Sequence, residues 1–227
     1  DVTRIFAEDG NDTVGYYSEG GGAAEIDGGD GNDTFYAYNY AYNPSPSASV
    51  TITGGDGVDL YRLSAYNTGT VELVSTDFAV GEGGDVLYIN DLLSVSNWQE
   101  GQGNPFAEGA FHYLRLASGD PSAAIQFDVA TVLQWDRDGS GTAYNWETVI
   151  ELSNVQWQFG NHGLTLYNFA PKAAPDGSLT GVSLTGTPGT DHLYGSVVAD
   201  VIDGAGGGYT DTLYGYGGND ELFADRY

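Results

Sequence analysis

The sequence repeats a nine-residue unit, and a fixed period constrains the fold before any strand is assigned. Near the C-terminus the unit reads Gly186-Thr-Pro-Gly-Thr-Asp191-His-Leu193-Tyr, then Gly195-Ser-Val-Val-Ala-Asp200-Val-Ile202-Asp. After Gly204-Ala205 it resumes as Gly206-Gly-Gly-Tyr-Thr-Asp211-Thr-Leu213-Tyr and Gly215-Tyr-Gly-Gly-Asn-Asp220-Glu-Leu222-Phe. Near the N-terminus it appears as Gly28-Gly-Asp30-Gly31-Asn-Asp33-Thr-Phe35-Tyr and Gly54-Gly-Asp56-Gly57-Val-Asp59-Leu-Tyr61-Arg, preceded by a weaker copy, Ala7-Glu-Asp9-Gly10-Asn-Asp12-Thr-Val14-Gly. Each unit sets a turn before Asp and an apolar residue two places after it, the alternation of a strand with one face inward. In a flexible Gly and Asp linker the in-phase Leu193, Ile202, Leu213 and Leu222 would serve no purpose.

Charge sets the next condition. Only 6 Lys and Arg stand against 32 Asp and Glu, a formal charge of −26. With 41% hydrophobic and 13% aromatic residues the chain has apolar surface to bury, unlike a disordered acidic tail. Packed carboxylates repel one another, so a compact state calls for bound cations. Nucleic acid and anionic membrane surfaces are disfavoured as partners, because both attract Lys and Arg and would repel this surface. Cys is absent, which removes disulfide frameworks and Cys-based metal sites. Without an initiator Met, a signal peptide or a run long enough to insert in a membrane, the sequence reads as part of a longer chain.

The repeats resemble the RTX nonapeptide G-G-x-G-x-D-x-U-x, a calcium-binding parallel β-roll unit. The resemblance implies an all-β fold with an RTX β-roll solenoid at both ends and a β-rich capping or insert module between them. The expected division is a roll over 1–64, the module over 65–169, a linker over 170–185 and a second roll over 186–227. It also implies several calcium ions held between neighbouring turns by Gly carbonyls and the sixth-position Asp, that is Asp12, Asp33, Asp59, Asp191, Asp200, Asp211 and Asp220. Asp9, Gly28, Asp30, Gly54, Asp56, Gly186 and Asp203 complete the candidate donor set. The chemistry agrees, since calcium takes several oxygen ligands in flexible geometry and Gly lets the backbone point carbonyls at one ion. By the same resemblance the chain is a bacterial secreted or surface protein of the type I export class, unfolded in calcium-poor cytosol and folded outside.

The middle mixes β-favouring runs such as Val71-Glu-Leu-Val74 and Val149-Ile-Glu-Leu152, with one short helix expected at Asp91-Leu-Leu93. The stretch from Asp77 to Leu93, with Asn104-Pro-Phe106, Tyr113-Leu-Arg-Leu116 and Trp135-Asp-Arg-Asp-Gly139, resembles the capping segment of type I secreted C-terminal regions. In that family the cap normally closes the chain; here nonapeptides follow it, which points to roll, cap and roll in tandem. A second oxygen-rich motif, Asp136, Asp138, Ser140 and Glu147, has EF-hand spacing. Its flanks, Leu133-Gln-Trp135 and Thr148-Val-Ile150, read as strands, leaving a calcium loop in β context or a solvated hairpin turn.

Nothing in the sequence makes a catalytic constellation. His112, His162 and His192 are far apart and sit in no nucleophile or zinc motif, so the chain is read as a non-enzyme. Tyr36, Tyr38, Tyr40 and Tyr42 alternate, which puts four rings on one strand face, either stacking on sugar rings or covered by a neighbouring loop or subunit. The leading expectation is a calcium-rigidified structural or adhesive module of a larger protein. It would associate with further copies of itself through the roll ends into a filament or array. The alternative is a non-catalytic, polysaccharide-binding accessory module of a secreted polysaccharide-acting enzyme.

Overall fold

The computed structural model describes residues 1–18, 21–39, 48–64, 71–99, 102–109, 112–120, 122, 129–139, 141–158, 162–205 and 210–224. The chain runs through β1 (Val2–Phe6), β2 (Thr13–Ser18), β3 (Gly22–Asp30), β4 (Thr34–Asn39), β5 (Ala48–Asp56), β6 (Leu60–Arg62), β7 (Val71–Ser75) and β8 (Val86–Tyr88) to a short helix, α1 (Asn90–Val95). Then follow β9 (Leu114–Ser118), β10 (Ala130–Trp135), β11 (Glu147–Gln156) and β12 (Phe169–Ala170). The C-terminal strands are β13 (Ser183–Thr185), β14 (His192–Tyr194), β15 (Val201–Asp203), β16 (Thr212–Tyr214) and β17 (Glu221–Phe223).

Odd and even strands of the first half separate into two parallel sheets, β1-β3-β5-β7 and β2-β4-β6-β8, so every two nonapeptides complete one coil. The turns are paired coil to coil as well: Gly10 N–H donates to Asp30 O and Gly31 N–H to Asp56 O, both at 2.7 Å. Between coils the step from one bonded position to the next is 21 and then 26 residues at the N-terminus, and 18 or 20 at the C-terminus. Eighteen is two bare units; loops take up the excess, so register survives insertion.

Position two adopts a positive φ in the turns before the insert. Gly29 and Gly55 have φ of 93° and 97°, and Glu8 holds the same position in the weak first copy at 71°. A side chain in this region costs about 1–2 kcal/mol. Glu8→Gly is therefore expected to raise stability in calcium by about 1 kcal/mol, the relief exceeding the added unfolded-state entropy. Denaturant titration checks this, and an unchanged or lower midpoint would refute it.

Inside the coils the alternation places Ile26, Val50, Ile52 and Leu73 beneath one sheet, against Phe35, Tyr61 and Leu87 from the other. The Phe35, Tyr61 and Phe78 rings pack in sequence at tilted angles, with centroids 5.3 and 5.5 Å apart. The insert shares this core rather than building its own: Leu92 and Leu93 of α1, Leu133, Trp135, Ile150 and Phe169 belong to the same buried cluster. Arg62 on β6 ties α1 down by a 2.8 Å ion pair with Asp91 while lying over the Tyr88 ring.

The parallel ladder runs on beyond residue 64. β7 pairs with β5 and β8 with β6, and residues 80–88 form a further unit with Gly81 and Gly83 at positive φ and Asp85 at the sixth position. Residues 177–185 form another, in phase with Gly186, in which Val182 stands where Asp is expected and Leu184 pairs with Ile202. The insert enters the first sheet through β11, parallel to β7, with β10 and β9 added antiparallel. On the other side, a parallel bridge from Lys172 to Ser196, with Lys172 N–H donating to Gly195 O at 2.7 Å, joins the C-terminal coils to β12.

Candidate metal centres

Six sixth-position carboxylates are aimed by the coil before them. Asp33 Oδ1 accepts from Asp12 N at 2.8 Å, Asp59 Oδ1 from Asp33 N at 2.8 Å and Asp85 Oδ1 from Asp59 N at 2.9 Å. Beyond the insert the scheme recurs: Asp200 Oδ1 accepts from Val182 N at 2.7 Å, Asp211 Oδ1 from Asp191 N at 3.1 Å and Asp220 Oδ1 from Asp200 N at 3.0 Å. One oxygen per carboxylate is thus spent on fixing orientation.

The second oxygen turns toward the first-position glycine. A Cβ on Gly28 would collide with Asp33 Oδ2 and with the carbonyl oxygen of Gly54 in the next coil. Gly186 stands in the same relation to Asp191 Oδ2 and Gly204 O, Gly195 to Asp200 Oδ2 and Gly215 O, and Gly204 to Asp211 Oδ2 and Ala224 O. Carboxylate and carbonyl oxygens therefore crowd one small volume that only glycine leaves open. Asp33 Oδ2 and Asp59 Oδ2 are buried with no hydrogen-bond partner, whereas Asp191 Oδ2 and Asp200 Oδ2 accept from Thr187 N and Ser196 N at 2.8 and 2.6 Å. Buried carboxylate oxygens are costly without a donor or a cation, so the inner row fits a hard cation such as calcium. Among the described residues no three carboxylate or imidazole groups converge. Any ion in the coils must then draw most of its ligands from the backbone.

The third-position residues form a separate, outer row. Asp9 bridges Asp30, and Asp30 pairs with Asp56, all three exposed at the rim of the turns. Asp203 lies on β15 and accepts from Ala205 N at 2.9 Å. Reading from Gly206 misses one alignment: β13 and β15 put Gly204, not Gly206, level with Gly186, and Asp211 packs on Gly204. Two carboxylates escaped the sequence reading. Asp85 lacks an opening glycine, though Gly81, Gly83 and Leu87 were in place. Asp77 lies outside any unit, yet it accepts from Gly54 N and Gly55 N at 2.8 and 2.9 Å.

Without a cation the inner row is electrostatically poised. Burial, with Asp85, Asp33 and Asp77 adding repulsion against the Asp33 amide's opposing hydrogen bond, pushes the Asp59 carboxyl up to about 7 from 3.8. Burial raises Asp85 as well. A folded-state value above the unfolded one means that stability is fully present below the unfolded value and lost as pH rises through the folded one. In calcium-free buffer the thermal midpoint should accordingly rise as pH is lowered from about 7 toward about 4. With calcium bound the ion replaces the proton and this gain should vanish. A calcium-free midpoint that falls over that range would overturn the assignment.

The EF-hand-like stretch is the turn of the β10–β11 hairpin, with Trp135 opposite Glu147. Asp136 Oδ1 accepts from Asp138 N at 3.2 Å and Asp138 Oδ2 from Ala143 N at 2.9 Å, so both carboxylates order their own loop. Glu147 is exposed on β11, and Ser140 lies outside the described residues. Tyr36 and Tyr38 share the outer face of β4; Tyr40 and Tyr42 lie outside the described residues. The three histidines stay apart: His112 packs on Trp146, His162 on Trp157, and His192 is exposed on β14.

A family model for the RTX calcium-binding nonapeptide repeat (4 copies) matches residues 20–39, 185–207 and 205–226. No curated protein and no solved structure matches the chain. The matched segments include units whose Asp and Gly oxygens crowd together on both sides of the insert, and with the two-sheet parallel coil they mark this chain as a β-roll that carries RTX calcium-binding repeats.

Proposed function

We propose that the chain is a calcium-folded structural and adhesive segment of a larger secreted or surface-exposed bacterial protein. RTX rolls are structural calcium-binding folds rather than catalytic ones, and such repeats are typical of secreted bacterial proteins. Among the described residues no helix is long and apolar enough to cross a membrane. The reading is carried by the inner carboxylate row: Asp33 and Asp59 before the insert, Asp191, Asp200, Asp211 and Asp220 after it, each turned to a first-position glycine. On this reading calcium is held by these six residues, by Asp12 at the rim and by the Gly54, Gly204 and Gly215 carbonyls. The outer Asp9, Asp30 and Asp56 row supplies charge that the ions offset.

Calcium then converts a self-repelling chain into a stiff coil, the property a scaffold or adhesin needs. Association of rolls through sheet edges is the finer part of the proposal. It is supported by β1, an outermost strand among the described residues, whose Val2 and Phe6 are 48% and 67% exposed. A sugar-stacking role has weaker support, because Tyr17 and Tyr38 lie nearly parallel at 5.7 Å and each turns one ring face to the other.

Sedimentation velocity over a concentration series tests both levels. In calcium at about 10⁻³ M the chain should sediment as a compact particle that grows into discrete oligomers with concentration. In chelator, or as the Asp200→Asn/Asp211→Asn pair, it should sediment more slowly as an expanded chain. Identical compact monomers in all conditions would remove both the calcium-folding and the assembly readings.

A further inference from the structure

The outer face of the even-strand ladder carries tyrosines that the calcium sites do not use. Parallel register puts Tyr17 opposite Tyr38 and Tyr194 opposite Tyr214. Both pairs are stacked, with centroids 5.7 Å apart at 21° and 5.1 Å apart at 12°. Tyr88 continues the row from the first roll to Tyr194 at 6.1 Å. One member of each stacked pair reaches solvent, Tyr17 being 56% and Tyr214 40% exposed. The chain has 17 Tyr but no Cys and no Met, so the sulfur side chains that commonly take up oxidants are missing.

We infer that the in-register pairs Tyr194–Tyr214 and Tyr17–Tyr38 are sites of oxidative dityrosine cross-linking, driven by a one-electron oxidant of the peroxidase–peroxide class. Each phenol gives up one electron and its hydroxyl proton. The two tyrosyl radicals then join through ring carbons ortho to oxygen, and the ortho hydrogens shift to oxygen as aromaticity returns. The pair has lost two electrons and two protons in all, and one hydrogen peroxide takes these up to give two waters. Stacking holds the carbons together before oxidation, which makes coupling within a pair effectively unimolecular. The product is a covalent staple between successive coils.

The test is peroxidase and hydrogen peroxide applied to the calcium-loaded chain, followed by digestion and mass spectrometry of linked peptides. Tyr194–Tyr214 and Tyr17–Tyr38 should exceed every link between tyrosines that are not ring neighbours by on the order of tenfold or more, with any competing link confined to the adjoining Tyr36 and Tyr216 rings. Tyr214→Phe, which keeps the ring, should remove the first link, leave the second and preserve the calcium-dependent fold. A random spread over exposed tyrosines such as Tyr144, or links between chains only, would overturn the inference. The same two links formed equally well in chelator would uphold the tyrosine sites while counting against calcium-dependent folding.

Discussion

Calcium removal is expected to melt the C-terminal coils first and most completely. Their apolar interior is thin: Ile202, Val182 and Val197 are buried, but Leu222 is 47% exposed and Leu193 and Leu213 are only half-buried. The first roll packs Phe35, Tyr61, Ile52 and Leu87 into the cluster shared with Trp135 and Ile150 of the insert. Burial of such side chains is worth about 1.5–3 kcal/mol each, so the first roll keeps a driving force that the last coils lack. There, ordering the glycine-rich turns must be offset mainly by the ions.

Hydrogen exchange read by mass spectrometry gives the outcome directly. On passing from calcium to chelator at neutral pH, amides over 183–224 should lose protection on the order of a hundredfold or more, with smaller losses over 48–88 and 130–156. Protection retained over 183–224 in chelator would contradict the role assigned to Asp191, Asp200, Asp211 and Asp220. Uniform loss across the chain would instead mean that roll and insert unfold as one unit.

The second large effect concerns the stacking of turns. Gly31 has a φ of 143°, a region essentially reserved for glycine, and a Cβ there would strike the Gly10 carbonyl of the preceding coil. Gly31→Ala therefore meets a backbone penalty and a steric one, together about 3 kcal/mol or more. Gly81→Ala is the control. Its φ is 92°, but nothing lies within 4 Å of the added methyl, so only the backbone cost of about 1–2 kcal/mol applies. Chemical denaturation in saturating calcium should rank Gly31→Ala clearly below Gly81→Ala, and well below the Glu8→Gly variant. Equal losses would mean that the close approach of carbonyl to glycine does not govern coil stacking.

Residue by residue, the legible parts are those whose physics is local. Gly29, Gly55 and Gly57 announce turns because their positive φ values are costly for side chains, and Asp33, Asp59, Asp200 and Asp220 announce oxygen donors five places after the first-position glycines Gly28, Gly54, Gly195 and Gly215. The short helix over Asn90–Val95, which contains Asp91-Leu-Leu93, was readable for the same reason. The units at 80–88 and 177–185 were harder to see, since one lacks its opening glycine and the other has Val182 in place of Asp. Val182 still fits, because what its coil gives the next is a backbone N–H, which donates to Asp200 Oδ1, and any residue but proline supplies that.

The amino-acid order by itself determined the nine-residue period, the inward face and the carboxylate row that needs a cation, because each follows from φ preferences, side-chain alternation and charge along a short stretch. Tertiary structure alone decided that Gly204 rather than Gly206 stands level with Gly186, that β11 joins β7 to share one core, and that Tyr194 stacks on Tyr214. Those outcomes depend on which coil lies against which after loops of unequal length have closed. Pairing across such distances is a property of the packed ladder and leaves no mark on the residues taken one unit at a time.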